Sequence, residues 1–325
     1  LVRPQYRQID AVRALDLEIQ AGESVAFLGP NGAGKSTTIK MLCGILRASG
    51  GLIDVLGFDP ARDRQKLAYS IGSVFGQKSQ LWYHLPAADS FRLLGAVYEI
   101  EPALLVRRTA ELRERFGLDE FWDVPVRKLS LGQRIRCEIA ASLLHKPRLL
   151  FLDEPTIGLD VVVKQEIRSL LDSWNRDEGV TLFLTSHDLG DVEKLCRRAL
   201  LIHHGTLVLD QPIKVLKHQA TAKKLIGVRY TEPTRIELAG LEPLKRTADA
   251  AKFEVDTAQH NLQAVMQALV GLGEVADLTV EDEPLENLIA DLYRSSSRAE
   301  CDSIIGRNGA AAQDRDAALG GEASS

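Results

Sequence analysis

The stretch GPNGAGKS, from Gly29 to Ser36, fits the pattern G-x-x-x-x-G-K-[ST]. Its chemistry is phosphate binding. Glycines at this spacing let successive backbone N–H groups turn into a concave cradle, and a following helix adds the positive end of its dipole. In that pattern Lys35 reaches the β- and γ-phosphates and the Ser36 hydroxyl can ligate Mg²⁺. The plain alternative is a glycine turn that binds nothing, but from average composition a chance match in a chain this long is on the order of one per cent. Asp153 and Glu154 close the apolar run LLFLDE. Asp153 suits a Mg²⁺ partner, directly or through water, and Glu154 a base that orients the attacking water. Alone, such a pair is more often a solvated strand end; downstream of a phosphate loop the balance reverses. His187, in TSHD one apolar run later, is then expected near the γ-phosphate, although a lone histidine there is usually a surface or capping residue. Gln77, in VFGQKSQLW, reads by itself as a loop residue after a strand.

The stretch LSLGQR, Leu129 to Arg134, carries a second signal. Ser130 and Gln133 stand in the S-x-x-Q spacing of a capping box, which ties off free N–H groups at a helix start. A capped helix accounts for that spacing on its own. Whether the same helix end also holds an anion is a question the motif leaves open.

These residues need elements that bring them together. ESVAFLG (Glu23 to Gly29) reads as a short apolar strand, and STTIKMLCGIL (Ser36 to Leu46) as the helix that follows the phosphate loop. RLLFLDE and VTLFLTSH are continuous apolar runs, the pattern of strands covered on both faces in a parallel α/β sheet. About Asp89 to Lys146 the chain is rich in Arg, Leu, Glu and Ala and reads as helical; the strands RALLIHHG and TLVLD then end this unit near His218. A smaller α+β unit is expected over residues 219–294. Its strands are KKLIGVRY, KFEVD and EVADLTV. Between Asn261 and Gly271, Leu262, Val265, Met266, Leu269 and Val270 recur at helical spacing, and Pro284 opens a last helix behind the acidic Glu281–Glu283. Residues 295–325 lack periodicity and read as a disordered tail. The fold class is α/β.

The chain has 325 residues and a formal net charge of -5, which argues against a broad nucleic-acid-binding surface. Its four cysteines are scattered and read as reduced thiols in a cytosolic protein. No run approaches the roughly 18 apolar residues that span a bilayer, so a membrane connection is expected through a partner. Leu1 rather than Met at the start suggests a truncated beginning or an unusual initiation site. The pair Trp82–Tyr83 reads as core or as a partner-facing loop.

Together these motifs resemble the ATP-binding subunit of an ABC transporter, over about residues 5 to 218. GPNGAGKST matches that family's Walker A motif (Gly29, Pro30, Asn31, Gly32, Ala33, Gly34, Lys35, Ser36 and Thr37), Gln77 its Q-loop, LSLGQR its signature motif, LLFLDE its Walker B, GLD at Gly158 to Asp160 its D-loop, and His187 its switch histidine. Leu131 stands where the signature usually has glycine. The resemblance implies a P-loop NTPase core with a helical subdomain at about 89–146 and a cassette over residues 1–218. It implies ATP and Mg²⁺ as ligands, with Ser36, Gln77 and Asp153 around the metal and Tyr6 stacking on adenine. It also implies head-to-tail pairing with a second ATPase subunit, expected as a homodimer, in which Ser130, Gly132, Gln133 and Asp160 face the ATP held by the partner. FGQKSQLWYHLP and the region from LSLGQR to GLD resemble a bacterial, exporter-type subgroup that works with separately encoded membrane subunits. The location implied is peripheral, on the cytoplasmic face of the cell membrane. A non-transport ATPase acting on DNA or the ribosome is the alternative, but the chain has neither a coiled-coil insertion nor two cassettes. A kinase or GTPase on another P-loop fold leaves LSLGQ unexplained.

Overall fold

The computed structural model describes residues 10–76, 79–186, 188–221, 223–238, 240–284, 287–290 and 293. Tyr6, Gln77, His187, Cys301 and the tail expected from residue 295 lie outside the described residues. The chain divides into two compact units between Ile213 and Lys214.

The first unit begins with β1 (Ser24–Leu28), α1 (Lys35–Leu42), α2 (Arg64–Ala68) and β2 (Ile71–Phe75). Three helices follow: α3 (Ala87–Val97), α4 (Pro102–Phe116) and α5 (Leu131–Ser142). Then come β3 (Leu149–Asp153), α6 (Val161–Glu178), β4 (Thr181–Thr185), α7 (Leu189–Leu195), β5 (Arg198–His203) and β6 (Thr206–Pro212). The sheet order is β2-β3-β4-β1-β5-β6. All its pairings are parallel except β5 with β6. Parallel strands need crossovers, so the chain ends of β1, β2, β3 and β4 lie along one edge of the sheet, where open α/β sheets hold ligands.

Every residue of β1 and β4 is buried, which is why both are apolar through their centres, with only Ser24, Thr181 and Thr185 polar at the ends. Phe183 sits at the middle of this layer, 5.2 Å from Phe27 and 5.6 Å from Phe151 between ring centroids. The helical part is built by local signals. Glu101 caps α4 by accepting from the N–H groups of Ala103 and Leu104, and Pro102 opens the helix. Gly117 closes it in the left-handed conformation.

One expected boundary moves. α1 ends at Leu42 rather than near Leu46. Gly44 turns left-handed at φ +68°, and the N–H groups of Ile45 and Leu46 both donate to Lys40 O, at 2.8 and 3.0 Å. A side chain at Gly44 would meet Pro60 O at 2.4 Å, so a glycine is required where the helix stops.

The second unit opens in α8 (Ile213–Thr221) and contains β7 (Lys223–Tyr230), β8 (Pro243–Arg246), β9 (Ala250–Asp256), α9 (Leu262–Val270) and β10 (Val275–Asp282). Its antiparallel sheet has the order β10-β7-β9-β8. Alternate residues Ile226, Val228 and Tyr230 of β7 and Ala251, Phe253 and Val255 of β9 form a core with Val265 and Leu269 of α9. Residues 287–290 are helical. Among the described residues no helix is long and apolar enough to cross a membrane.

Because Phe183 is fully buried between two rings, Phe183→Ala should destabilise the first unit by about 3–5 kcal/mol. A fall in urea midpoint at unchanged slope would register it; a change under about 1 kcal/mol would mean that the layer relaxes around the gap.

Candidate functional site

The phosphate loop leaves the end of β1 and enters α1. Two of its glycines are required by geometry. A side chain at Gly29 would lie 2.5 Å from Ile202 O, and Gly34 holds φ +110° with Ala11 O 2.5 Å from where its Cβ would be. The turn between β5 and β6 supports the loop from behind, with Gly205 N–H donating to Ala33 O at 3.0 Å. Lys35 is 7% exposed, and its ammonium donates to Gly29 O at 2.5 Å and Pro30 O at 3.2 Å. Burial lowers its pKa, while the charges of Glu154 and Asp153 pull the other way. A cation is thus held inside a loop of backbone, with Asn31, Gly32 and Ser36 exposed at the mouth.

Asp153 joins the loop ends. It is the last residue of β3, in register with Phe75 of β2 and Thr185 of β4. Its Oδ1 accepts from Thr185 Oγ1 at 2.5 Å and its Oδ2 from Ser36 Oγ at 3.2 Å. Its carbonyl accepts from Gly76 N–H at 3.0 Å, so the residue preceding Gln77 is anchored here. A side chain on Gly76 would collide with Glu154 O at 2.5 Å. Glu154 sits in the left-handed region at φ +53°, with its N–H donating to Thr185 O at 3.0 Å. That strained backbone re-aims the residue after Asp153 out of the strand direction. Hydroxyl and carboxylate oxygens facing each other at Ser36 and Asp153 are the hard donors a Mg²⁺ site needs, so these residues fit that ion.

The signature stretch forms the expected capping box. Ser130 N–H donates to Gln133 Oε1 at 2.9 Å and Gln133 N–H to Ser130 Oγ at 3.2 Å. Gly132 is buried, and a side chain there would meet Val163 of α6 at 2.8 Å. Leu131 packs toward Gly158, 3.2 Å from where its Cβ would stand. Asp160 caps α6 by accepting from the N–H groups of Val162 and Val163, both at 3.0 Å. Thus Ser130, Gly132 and Asp160 form one neighbourhood, and Lys35, Ser36, Asp153 and Glu154 another. The side-chain hydrogen bonds of Lys35, Ser36 and Asp153 stay within the phosphate loop, the second group and its strand neighbour Thr185. Sequence reasoning passed over Thr185, whose hydroxyl and carbonyl hold both Asp153 and the Glu154 N–H. The T in TSH was its only trace. Trp82 and Tyr83 are 40% and 53% exposed, so of the two readings of that pair the core one falls.

The profile of the ABC transporter family matches residues 12–157. The linearmycin resistance ATP-binding protein LnrL of Bacillus subtilis is 34% identical over 90% of this chain and 96% of its own length. The bacitracin transport ATP-binding protein BcrA of Bacillus licheniformis is 33% identical over 65% of this chain and 68% of its own. Among solved structures, cbiO1 of Clostridium perfringens, described as part of an ABC transporter complex, aligns with a TM-score of 0.58 at 33% identity. It covers 63% of this chain and 83% of that one. A dimeric ATP-binding cassette in a post-hydrolysis state, bound to ADP and Pi, aligns with a TM-score of 0.57 at 25% identity, covering 64% of this chain and 94% of that one.

Lys35→Met should weaken nucleotide binding roughly 10- to 100-fold, the cost of losing a charge-assisted contact in a water-excluded loop, while leaving the far-UV circular dichroism unchanged. Titration with a fluorescent ATP analogue measures this; an unchanged Kd would remove Lys35 from the site.

Proposed function

The chain belongs to the ABC transporter family and is an ATPase, and we propose that it is the subunit that powers export through separately encoded membrane subunits. The observation that carries this reading is the division of the site. The phosphate cradle and the signature helix end form separate neighbourhoods among the described residues, which fits a second copy completing each. In a head-to-tail homodimer Ser130, Gly132, Gln133 and Asp160 of one subunit meet the ATP held by Gly29 to Thr37 of the other.

Within that dimer the backbone N–H groups of the cradle and Lys35 bind the phosphates. Ser36, Asp153 and Gln77 would hold Mg²⁺, which when bound supplies charge that offsets the phosphate oxygens. Glu154 polarises the attacking water, His187 holds the γ-phosphate and Tyr6 stacks on adenine. Residues 1–218 form the ATP-binding domain and 219–294 an accessory domain. The relatives named for linearmycin resistance and bacitracin transport support an export role. The exposed Trp82, Tyr83 and Leu85, in a loop just beyond β2, offer an apolar surface to a membrane subunit, in keeping with a peripheral position on the cytoplasmic face.

Glu154→Gln should slow hydrolysis by roughly 10²- to 10⁴-fold, the range for a lost general base, and should accumulate an ATP-dependent dimer on size exclusion. Near-normal turnover would sink the assignment. Replacing Tyr83 with Glu should leave the ATPase of the isolated protein intact yet abolish co-purification of multi-span membrane proteins from detergent-solubilised membranes; retained co-purification would move the docking surface elsewhere.

A further inference from the structure

Asp191 lies in the first turn of α7 and is 0% exposed. Its carboxylate receives donors from separate segments. Thr156 Oγ1 donates from the loop after β3, and Ser186 Oγ donates from the loop after β4 at 2.9 Å. Arg168 Nε donates from α6 at 2.5 Å. Each segment flanks a residue assigned to the reaction. Thr156 is two positions beyond Glu154, Ser186 immediately precedes His187, and α6 starts from the Asp160 cap. Ser186 also accepts from Asp188 N–H at 3.0 Å, and Asp188 O stands 3.2 Å from the same hydroxyl as a longer alternative acceptor. Arg168 is held in turn by Asp188 at 3.2 Å, and Lys164 donates to Asp188 at 2.6 Å. Gly190 leaves room for this fork, since a side chain there would approach Arg168 Nη2 at 3.2 Å.

A buried carboxylate is costly unless fully bonded, and an apolar residue would attach α7 to the core more cheaply. The two loops are already joined once, where Thr185 holds Asp153 and the Glu154 N–H. Asp191 adds a second tie farther from the sheet, beyond the reach of strand pairing. We propose that Asp191 is a positioning residue for hydrolysis: through Thr156 and Ser186 it fixes the loop of Glu154 against the loop of His187. The inference rests on the roles given above to those two residues. Misplacing catalytic groups costs rate rather than ground-state affinity, because binding depends on the cradle while turnover depends on the spacing of base and phosphate.

The test is steady-state ATPase kinetics on Asp191→Asn, Thr156→Val, Ser186→Ala and their combinations, beside Glu154→Gln. Asp191→Asn should lower kcat roughly 10- to 100-fold with KM for ATP within about two-fold of wild type, as for other lost supporting contacts. Thr156→Val and Ser186→Ala keep the pair with Arg168 and should each lower kcat several-fold. In the Asp191→Asn background they should add almost nothing, because all act through one carboxylate. If Asp191→Asn fails to fold, the cycle between Thr156→Val and Ser186→Ala decides, with strictly multiplicative effects overturning the inference. Wild-type kcat in a folded Asp191→Asn protein, beside an inactive Glu154→Gln, would overturn it alone. Full turnover by Glu154→Gln would overturn the site reading and this inference with it.

Discussion

Asp153 engages both carboxylate oxygens within the protein, Oδ1 with Thr185 on β4 and Oδ2 with Ser36 on α1, while its carbonyl takes the N–H of Gly76. Four chain segments meet at this residue, and the parallel sheet is what makes that possible. Register places Phe75, Asp153 and Thr185 side by side at the same end of β2, β3 and β4. An antiparallel order would send alternate strand ends to the opposite edge and separate the groups. The charge pattern follows from the same convergence. Burial opposes the ammonium of Lys35, and the carboxylates of Glu154 and Asp153 favour it. The backbone carbonyls of Gly29 and Pro30 then hold that cation where a phosphate would replace them as its partner.

The strands of this core were legible in the sequence because both faces are covered. LLFLD and TLFLT are apolar through their central positions, which are buried in both strands. The phosphate loop was legible because backbone curvature must be written as glycine. The end of α1 was less so: Gly44 reads equally well as a residue inside a helix, and only its packing against Pro60 O shows that it stops one. In the second unit β8 left no trace, since PLKR is a short, largely exposed edge with no apolar alternation to read.

The supporting shell was the least visible part. Thr185, Ser186 and Asp191 look like ordinary strand-end and capping residues in TSHDLGD. What gives Thr185 and Asp191 work is a set of partners at Asp153, Thr156 and Arg168, between 23 and 35 positions away, and Ser186 joins them through Asp191. No local period encodes such contacts. They arise only after the strands have been placed in register, so spacing alone points to the candidate groups and misses what holds them.

Leu131 shows the same limit from the other side. By motif it is a departure, a leucine where the signature has glycine. In space it is the first residue of α5, and its side chain turns toward Gly158. The position that excludes a side chain is the next one, where Gly132 faces Val163 at 2.8 Å, and glycine is kept there. The capping box satisfies the N–H groups of Ser130 and Gln133. The first N–H groups of any helix have no intrahelical acceptor, and here that leaves those of Leu131 and Gly132 to be met from outside. On the proposed reading, capping and anion binding would therefore draw on different donors of one helix end. A backbone N–H does not depend on the side chain beside it, so leucine at position 131 preserves the donor as well as glycine would.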